Sequence, residues 1–372
     1  MTSATREDLE RRAAAGEEAA RLALADALDS EGRHDDAINM LAAAARAGSA
    51  AAMGRVGARI LIGDRAPSLP QQGVGLVRDA ASAGDPEALT LLATLTAAGA
   101  HVQQSWSGAL DLIQRAAERG SASARGQLAV LASDRSLAAE AKASADAAPP
   151  EVWGRLRAAV DVAGFSRTSP GITLCEGPLI RSFPDFAAPE VCDWLVARAA
   201  TRLKRAEVYV GDPTKVKVGE SRTNSIGAFW LTEIDLVQLA LQARMASATG
   251  LSYRHMESPS VLHYAVGQQF HDHYDFIDPQ TPDYQALIAR HGERVVTFLV
   301  YLNDGYEGGE TAFPRLDIAH TGARGEGLYF ANALPSGGPD VRALHAGRPP
   351  TRGEKWIVSQ FIRSRPFIPG AA

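Results

Sequence analysis

No stretch of the chain approaches the roughly 18–20 uninterrupted apolar residues of a membrane span. The opening MTSATREDLERRAAAGEEAARL is charged and carries no apolar segment of the secretion-signal type. Cysteine is nearly absent: Cys175 and Cys192 are the only two. Two thiols leave room for one disulfide at most and fit a reducing compartment better than a disulfide scaffold. A cationic excess is missing as well, with 38 Lys and Arg against 43 Asp and Glu and a net charge of −5. That balance gives no footing for nucleic acid or an acidic membrane surface. Together these absences lead to the expectation of a cytoplasmic protein with neither membrane nor nucleic-acid partners.

What is present divides in two. A length of 372 residues favours two domains over one core. Residues 1–135 are rich in Ala, Leu, Glu and Arg and poor in aromatic and β-branched runs, a helical composition. A period of 36 residues runs through them: Gly48, Gly84 and Gly120; Ala44, Ala80 and Ala116; Ala52, Ala88 and Ala124; Leu41, Val77 and Ile113. A weaker copy begins at Gly16. Each glycine can end a helix in the left-handed conformation, and Ser49, Asp85 and Ser121, which follow directly, can cap the next one. One helix-turn-helix unit cannot bury its apolar face alone, so the units are expected to stack. The pattern resembles the tetratricopeptide-related Sel-type repeats, which implies a helical solenoid with a surface for a protein partner.

Residues 136–170 lose the period and include the helix-interrupting pair Pro149-Pro150; a capping helix and linker are expected there. From 171 to 372 the texture changes. SVLHYAV, RVVTFLVYLND, EGLYFANAL and EKWIVSQFI read as strands between Gly, Pro and Asp punctuation. Helical stretches precede them near Pro189–Leu203 and Glu233–Thr249. The expected architecture is a two-domain α+β protein: an N-terminal all-α repeat solenoid and a C-terminal jelly roll, or double-stranded β-helix, with supporting helices.

His273 and Asp275 stand two apart in HDHYDF, and on an extended backbone residues i and i+2 share a side. One imidazole and one carboxylate can therefore converge on an ion. His345, between two apolar runs, is the best third ligand. Two His and one carboxylate, with three positions left open, is the arrangement of non-haem Fe(II) oxygenases. His271 is the alternative to His273 but lacks an acidic residue two positions on. If His345 ends one strand and Lys355, ten residues later, lies in the next, the ammonium reaches the barrel mouth beside the metal. A buried ammonium needs a partner, and a dicarboxylate chelating the iron at its other end supplies one.

The residues then match a family. Tyr264-x-x-Gly267-Gln268, followed by His273-x-Asp275, resembles the ligand segment of prolyl 4-hydroxylases. RVVTFLVYLND with EGGETAFP, then RGEGLYF, then LHAGRPPTRGEKW are similar to that family's later blocks, in order, across about 174–368. Arg222-Thr223-Asn224-Ser225 resembles its upstream segment. The resemblance implies iron ligands at His273, Asp275 and His345, and Lys355 on the distal carboxylate of 2-oxoglutarate. It also implies co-substrate contacts from the hydroxyls of Tyr264 and Tyr301. The cofactors it implies are Fe(II), 2-oxoglutarate and O2, with ascorbate as reductant. The reaction would be oxidative decarboxylation to succinate and CO2 coupled to hydroxylation of an unactivated C–H bond, in first place a prolyl residue of a peptide or protein. Phe270 stands where the family usually has Tyr, Phe276–Gly292 is a variable loop, and Val208–Glu220 is long enough for a lid. Two rivals keep their place: hydroxylation of a free amino acid or small metabolite, and a repeat scaffold whose oxygenase domain is vestigial.

Overall fold

The structure, a computed structural model, describes residues 6–143, 150–209, 216–217, 219–278 and 280–367. Contacts divide it into two compact units, one formed by the residues up to Val162 with Leu231–Leu239, the other by Ala163–Trp230 with the residues from Ala240 onward.

The first unit is helical: α1 (Arg6–Ala14), α2 (Glu18–Ser30), α3 (His34–Arg46), α4 (Ala50–Ile62), α5 (Pro70–Ser82), α6 (Pro86–Ala98), α7 (Trp106–Glu118), α8 (Ala122–Ala132), α9 (Arg135–Ala143) and α10 (Pro150–Ala159). The period becomes three helical hairpins. Gly48, Gly84 and Gly120 all have φ between 90° and 98°, and the Ser49, Asp85 and Ser121 side chains accept from the amides of Ala52, Ala88 and Ala124. Leu41, Val77 and Ile113 are fully buried, as expected of a shared core position. Gly57 and Gly73 have a role the period does not reveal. A Cβ on Gly57 would lie 2.8 Å from the Gly73 carbonyl, and one on Gly73 2.7 Å from that of Gly57, so α4 and α5 touch backbone to backbone. The aperiodic segment holds two helices, α9 and α10, where one was expected; residues 144–149 lie outside the described ones. Leu231–Leu239 is held within this unit by polar contacts. The buried Gln127 accepts from the Leu236 amide at 3.0 Å, and the Thr94 hydroxyl donates to the Ile234 carbonyl at 3.4 Å.

The second unit is built on strands β1 (Ile172–Glu176), β2 (Leu179–Phe183), β3 (Lys204–Arg205), β4 (Val208–Tyr209), β5 (Val216–Lys217), β6 (Ser225–Ala228), β7 (Ser260–Tyr264), β8 (Phe270–His273), β9 (Arg294–Tyr301), β10 (Glu307–Gly308), β11 (Thr311–Phe313), β12 (Ile318–His320), β13 (Gly327–Ala331), β14 (His345–Gly347), β15 (Pro350–Arg352) and β16 (Lys355–Arg363). Eight form one sheet in the order β1-β2-β13-β9-β16-β7-β6-β3, and four form a second in the order β12-β11-β14-β8, all antiparallel. Leu262, Tyr264, Leu299, Tyr301, Leu328, Phe330 and Ile357 from the large sheet enclose a core with Phe313 from the small one. This is the expected jelly roll. On the other face of β9, Phe298 packs against Phe183, Phe186 and Tyr329.

Two helices flank the sheets, α11 (Pro189–Ala200) and α12 (Leu236–Thr249), each shorter than its expected stretch by about a turn. The variable loop Phe276–Gly292 contains a helix, α13 (Pro282–His291), which starts on a proline whose missing N–H costs nothing at that position. In the segment expected to be a lid, β4 pairs with β5; residues 210–215 and 218 lie outside the described ones. Among the described residues no helix is long and apolar enough to cross a membrane.

Candidate active site

The two sheets bring the sequence-predicted residues together by register. His345 on β14 faces His273 on β8, and Lys355 on β16 faces Tyr264 on β7. The local path differs from expectation in two places. β8 closes at His273, so Asp275 lies just beyond the strand. His345 opens its strand, and a short further strand, β15, paired with β10, intervenes before Lys355 opens β16. His273 and His345 still face each other, because the β8–β14 register pairs them.

His273, Asp275 and His345 form the one cluster of three metal-capable side chains among the described residues, with candidate ligand atoms within 4.8 Å of one another. Nε2 of His273 lies 3.5 Å from Oδ1 of Asp275, and Nε2 of His345 lies 3.3 Å from Oδ2. The other ring nitrogens meet carbonyls: Nδ1 of His273 that of His271 at 2.8 Å, Nδ1 of His345 that of Ala343 at 3.0 Å. A carbonyl only accepts, so each Nδ1 carries a proton and each neutral ring turns its Nε2 lone pair toward Asp275. That tautomer suits a metal ligand. Phe270 stacks on His273 with centroids 3.5 Å apart and fixes the ring plane. His271 is exposed and stands outside the cluster.

The charges fit a cation. Burial raises the Asp275 pKa, but His345 and His273 overcome it and hold the carboxyl well below its usual range. Burial lowers His345, and Asp275 more than offsets this, leaving the imidazole above its usual range. His273, with burial and His345 both against its charge, is lowered. A carboxylate held ionised between two imidazoles is a donor set that suits a divalent cation.

Lys355 is 1% exposed. Its ammonium donates to the Gly309 carbonyl at 2.6 Å and lies 3.5 Å from the Thr311 hydroxyl. Among the described residues no carboxylate is within ion-pair distance of it. Burial lowers its pKa from 10.5 to about 7, with Glu310 opposing at longer range. The rings of Tyr264 and Tyr301 flank the ammonium at 5.5 and 5.3 Å. Tyr301 Oη is 2.9 Å from Thr311 Oγ1, and Tyr264 abuts Gly347, where a Cβ would come within 3.0 Å of its hydroxyl. A buried cation edged by hydroxyls and lacking a counter-ion suits the far end of a dicarboxylate.

Sequence reasoning missed Thr297, Thr311 and Asn332. Thr297 donates to Oδ2 of Asp275 at 2.7 Å, and Asn332 donates to Thr297 at 2.9 Å. The available signal was a hydroxyl midway along the apolar run RVVTFLVY, and an amide directly after another such run.

The chain is similar to known oxygenases. The 2OG-Fe(II) oxygenase superfamily matches residues 259–363. The chain is 30% identical over 200 residues to the probable prolyl 4-hydroxylase 9 of Arabidopsis thaliana, covering 49% of this chain and 68% of that one. Among solved structures it is similar to the viral collagen prolyl hydroxylase of Paramecium bursaria Chlorella virus-1, with 27% identity, a TM-score of 0.40, and coverage of 51% of this chain and 98% of that one. A Sel1 repeat protein from Oxalobacter formigenes matches with 21% identity and a TM-score of 0.29, over 40% of this chain and 61% of that one. The chain belongs to the prolyl 4-hydroxylase family of Fe(II)- and 2-oxoglutarate-dependent oxygenases. It is a dioxygenase whose cofactors are Fe(II), 2-oxoglutarate and O2.

Proposed function

We propose that this chain hydroxylates a prolyl residue in a peptide or protein, with iron held by His273, Asp275 and His345 and the distal carboxylate of 2-oxoglutarate on Lys355. The observation that carries the reading is the Lys355 ammonium, buried without a carboxylate in the same β-core as the His–Asp–His cluster. The bound iron and co-substrate supply the oxidising chemistry, with succinate and CO2 as the other products. This chain's residues supply the rest. Nδ1–carbonyl bonds orient both imidazoles, Lys355 with Thr311 fixes the far end of the co-substrate, and Tyr264 and Tyr301 wall that end off from water.

Three further parts belong to this proposal. The repeats recruit the protein substrate or a partner, supported by a groove along α1–α3 lined by Leu24, Leu28, Met40 and Ala43 with Arg6 and Arg33 in its wall. The domains divide at 1–135, 136–170 and 171–372. A cytoplasmic location is supported by Cys175 and Cys192, both free thiols.

The test is succinate formation under Fe(II) and ascorbate, for wild type and His345→Ala, with and without proline-containing peptides. Peptide-stimulated turnover that needs His345 is expected. Turnover that needs His345 but ignores every peptide would move the substrate to a free amino acid or small metabolite. Absence of turnover and of iron would favour the scaffold reading. Recruitment is tested by Ala43→Glu in the groove, which should raise KM for a protein substrate and leave a short peptide unaffected.

A further inference from the structure

β9 is apolar through its centre except at Thr297, which is 1% exposed, and Asn332, just after β13, is 1% exposed too. Buried polar groups of this kind need partners, and the Asn332 amide nitrogen and the Thr297 hydroxyl partner each other, while Asn332 Oδ1 is buried with no hydrogen bond among the described residues. Asn332 Nδ2 donates to Thr297 Oγ1 at 2.9 Å. An amide nitrogen has no acceptor capacity, so the single Thr297 hydrogen is left for Oδ2 of Asp275, 2.7 Å away. Both bond directions are fixed.

Asn332 also reaches the opposite ligand through its backbone. Its N–H donates to the Val295 carbonyl at 2.9 Å, anchoring it to the strand that carries Thr297. Its carbonyl accepts from the Asp340 amide at 2.9 Å. Asp340 in turn accepts from the Ala343 amide at 3.0 Å and caps the turn Val341–Ala343 with its side chain. The Ala343 carbonyl then holds Nδ1 of His345 at 3.0 Å. One buried asparagine thus lies at the start of two hydrogen-bonded paths, one ending on Asp275 and the other on His345.

We propose that Thr297 and Asn332 are positioning residues for the metal centre: they engage Oδ2 of Asp275 so that Oδ1 is the oxygen offered to the ion, while Asn332 sets the turn that orients His345. The proposal rests on the ligand assignment above. A carboxylate binding through one oxygen leaves three positions of a six-coordinate ion open, enough for a two-atom co-substrate contact and O2. Binding through both oxygens would consume one of the three.

The experiment uses the full-length protein and Co(II) alone, titrated in competition with a chromophoric chelator, alongside the Co(II) absorption spectrum and the metal-free melting temperature. Thr297→Val keeps the shape and removes the hydrogen bond; Co(II) affinity should fall about 10–100-fold, with an altered spectrum. Thr297→Ser should restore both. Asn332→Leu, which leaves Thr297 in place without its donor, gives a second and independent reading, a smaller loss of affinity. Affinity of Thr297→Val equal to wild type, while His345→Ala has lost the ion, would overturn the positioning role. So would equal losses for Thr297→Val and Thr297→Ser, which would mark a packing effect. Undiminished binding by His345→Ala would bring down the ligand assignment itself, and the proposal with it.

Discussion

The helical unit and the β unit are each built on contacts of a different kind. In the helices, buried positions such as Leu41, Val77 and Ile113 recur every 36 residues, in successive hairpins. In the sheets, the decisive pairs are remote: His345 with His273, Lys355 with Tyr264, Asn332 with Thr297. A local code spreads stability over many equivalent positions, whereas a long-range one concentrates chemistry on a few groups that must all arrive. Substitutions should therefore separate the two units cleanly.

The largest separation is expected from Asp275→Ala, which should reduce turnover to background while the helical unit keeps its far-ultraviolet circular dichroism. Loss of the helical signal too would show that the two units do not answer independently. Lys355→Met should come next. Loss of a hydrogen bond to a charged group is worth roughly 1.5–3 kcal/mol, or about 10–100-fold in KM for 2-oxoglutarate. Its effect on stability has the opposite sign. Burial lowers the folded-state pKa of Lys355 from 10.5 to about 7. Between those values the unfolded chain binds the extra proton, so wild-type stability rises with pH across that window and bears the full cost of the buried charge below about 7. The Met variant should accordingly be more stable than wild type at pH 6, with the gap closing as pH climbs toward 10. A gap that widened with pH would contradict a buried ammonium with no carboxylate beside it among the described residues.

Metal affinity should also fall with acid. Asp275 holds the His345 pKa above the ordinary imidazole value despite burial, so protons compete with the ion as pH falls and Co(II) binding should weaken with acid. In the helical unit the effects are smaller and leave the chemistry alone. Gly57→Val forces a Cβ against the Gly73 carbonyl and should destabilise the α4–α5 crossing by about 1–3 kcal/mol in thermal unfolding, with Co(II) affinity unchanged. Asp85→Ala removes one cap, the 2.7 Å bond from the Ala88 amide, and should cost about 1 kcal/mol.

Legibility in the sequence followed the same division. Caps and left-handed glycines lie within a few residues of the helices they end, so Gly84 and Asp85 could be read directly. The four principal strands were legible because each is a continuous apolar run. α13 was not, since a ten-residue helix on the surface has only a weak apolar stripe and was hidden in a variable loop. Strand β15 was missed because three residues carry no periodicity.

The sequence by itself determined the repeat, the jelly-roll texture and the residue types able to bind iron and a dicarboxylate, because these are written in local period, spacing and motif. Only the tertiary structure decided which nitrogen of each histidine faces Asp275, that Lys355 has no carboxylate partner among the described residues, and that Asn332 joins the surroundings of two ligands. Those depend on hydrogen bonds between strands dozens of residues apart, and the direction of a hydrogen bond exists only once donor and acceptor have been brought together.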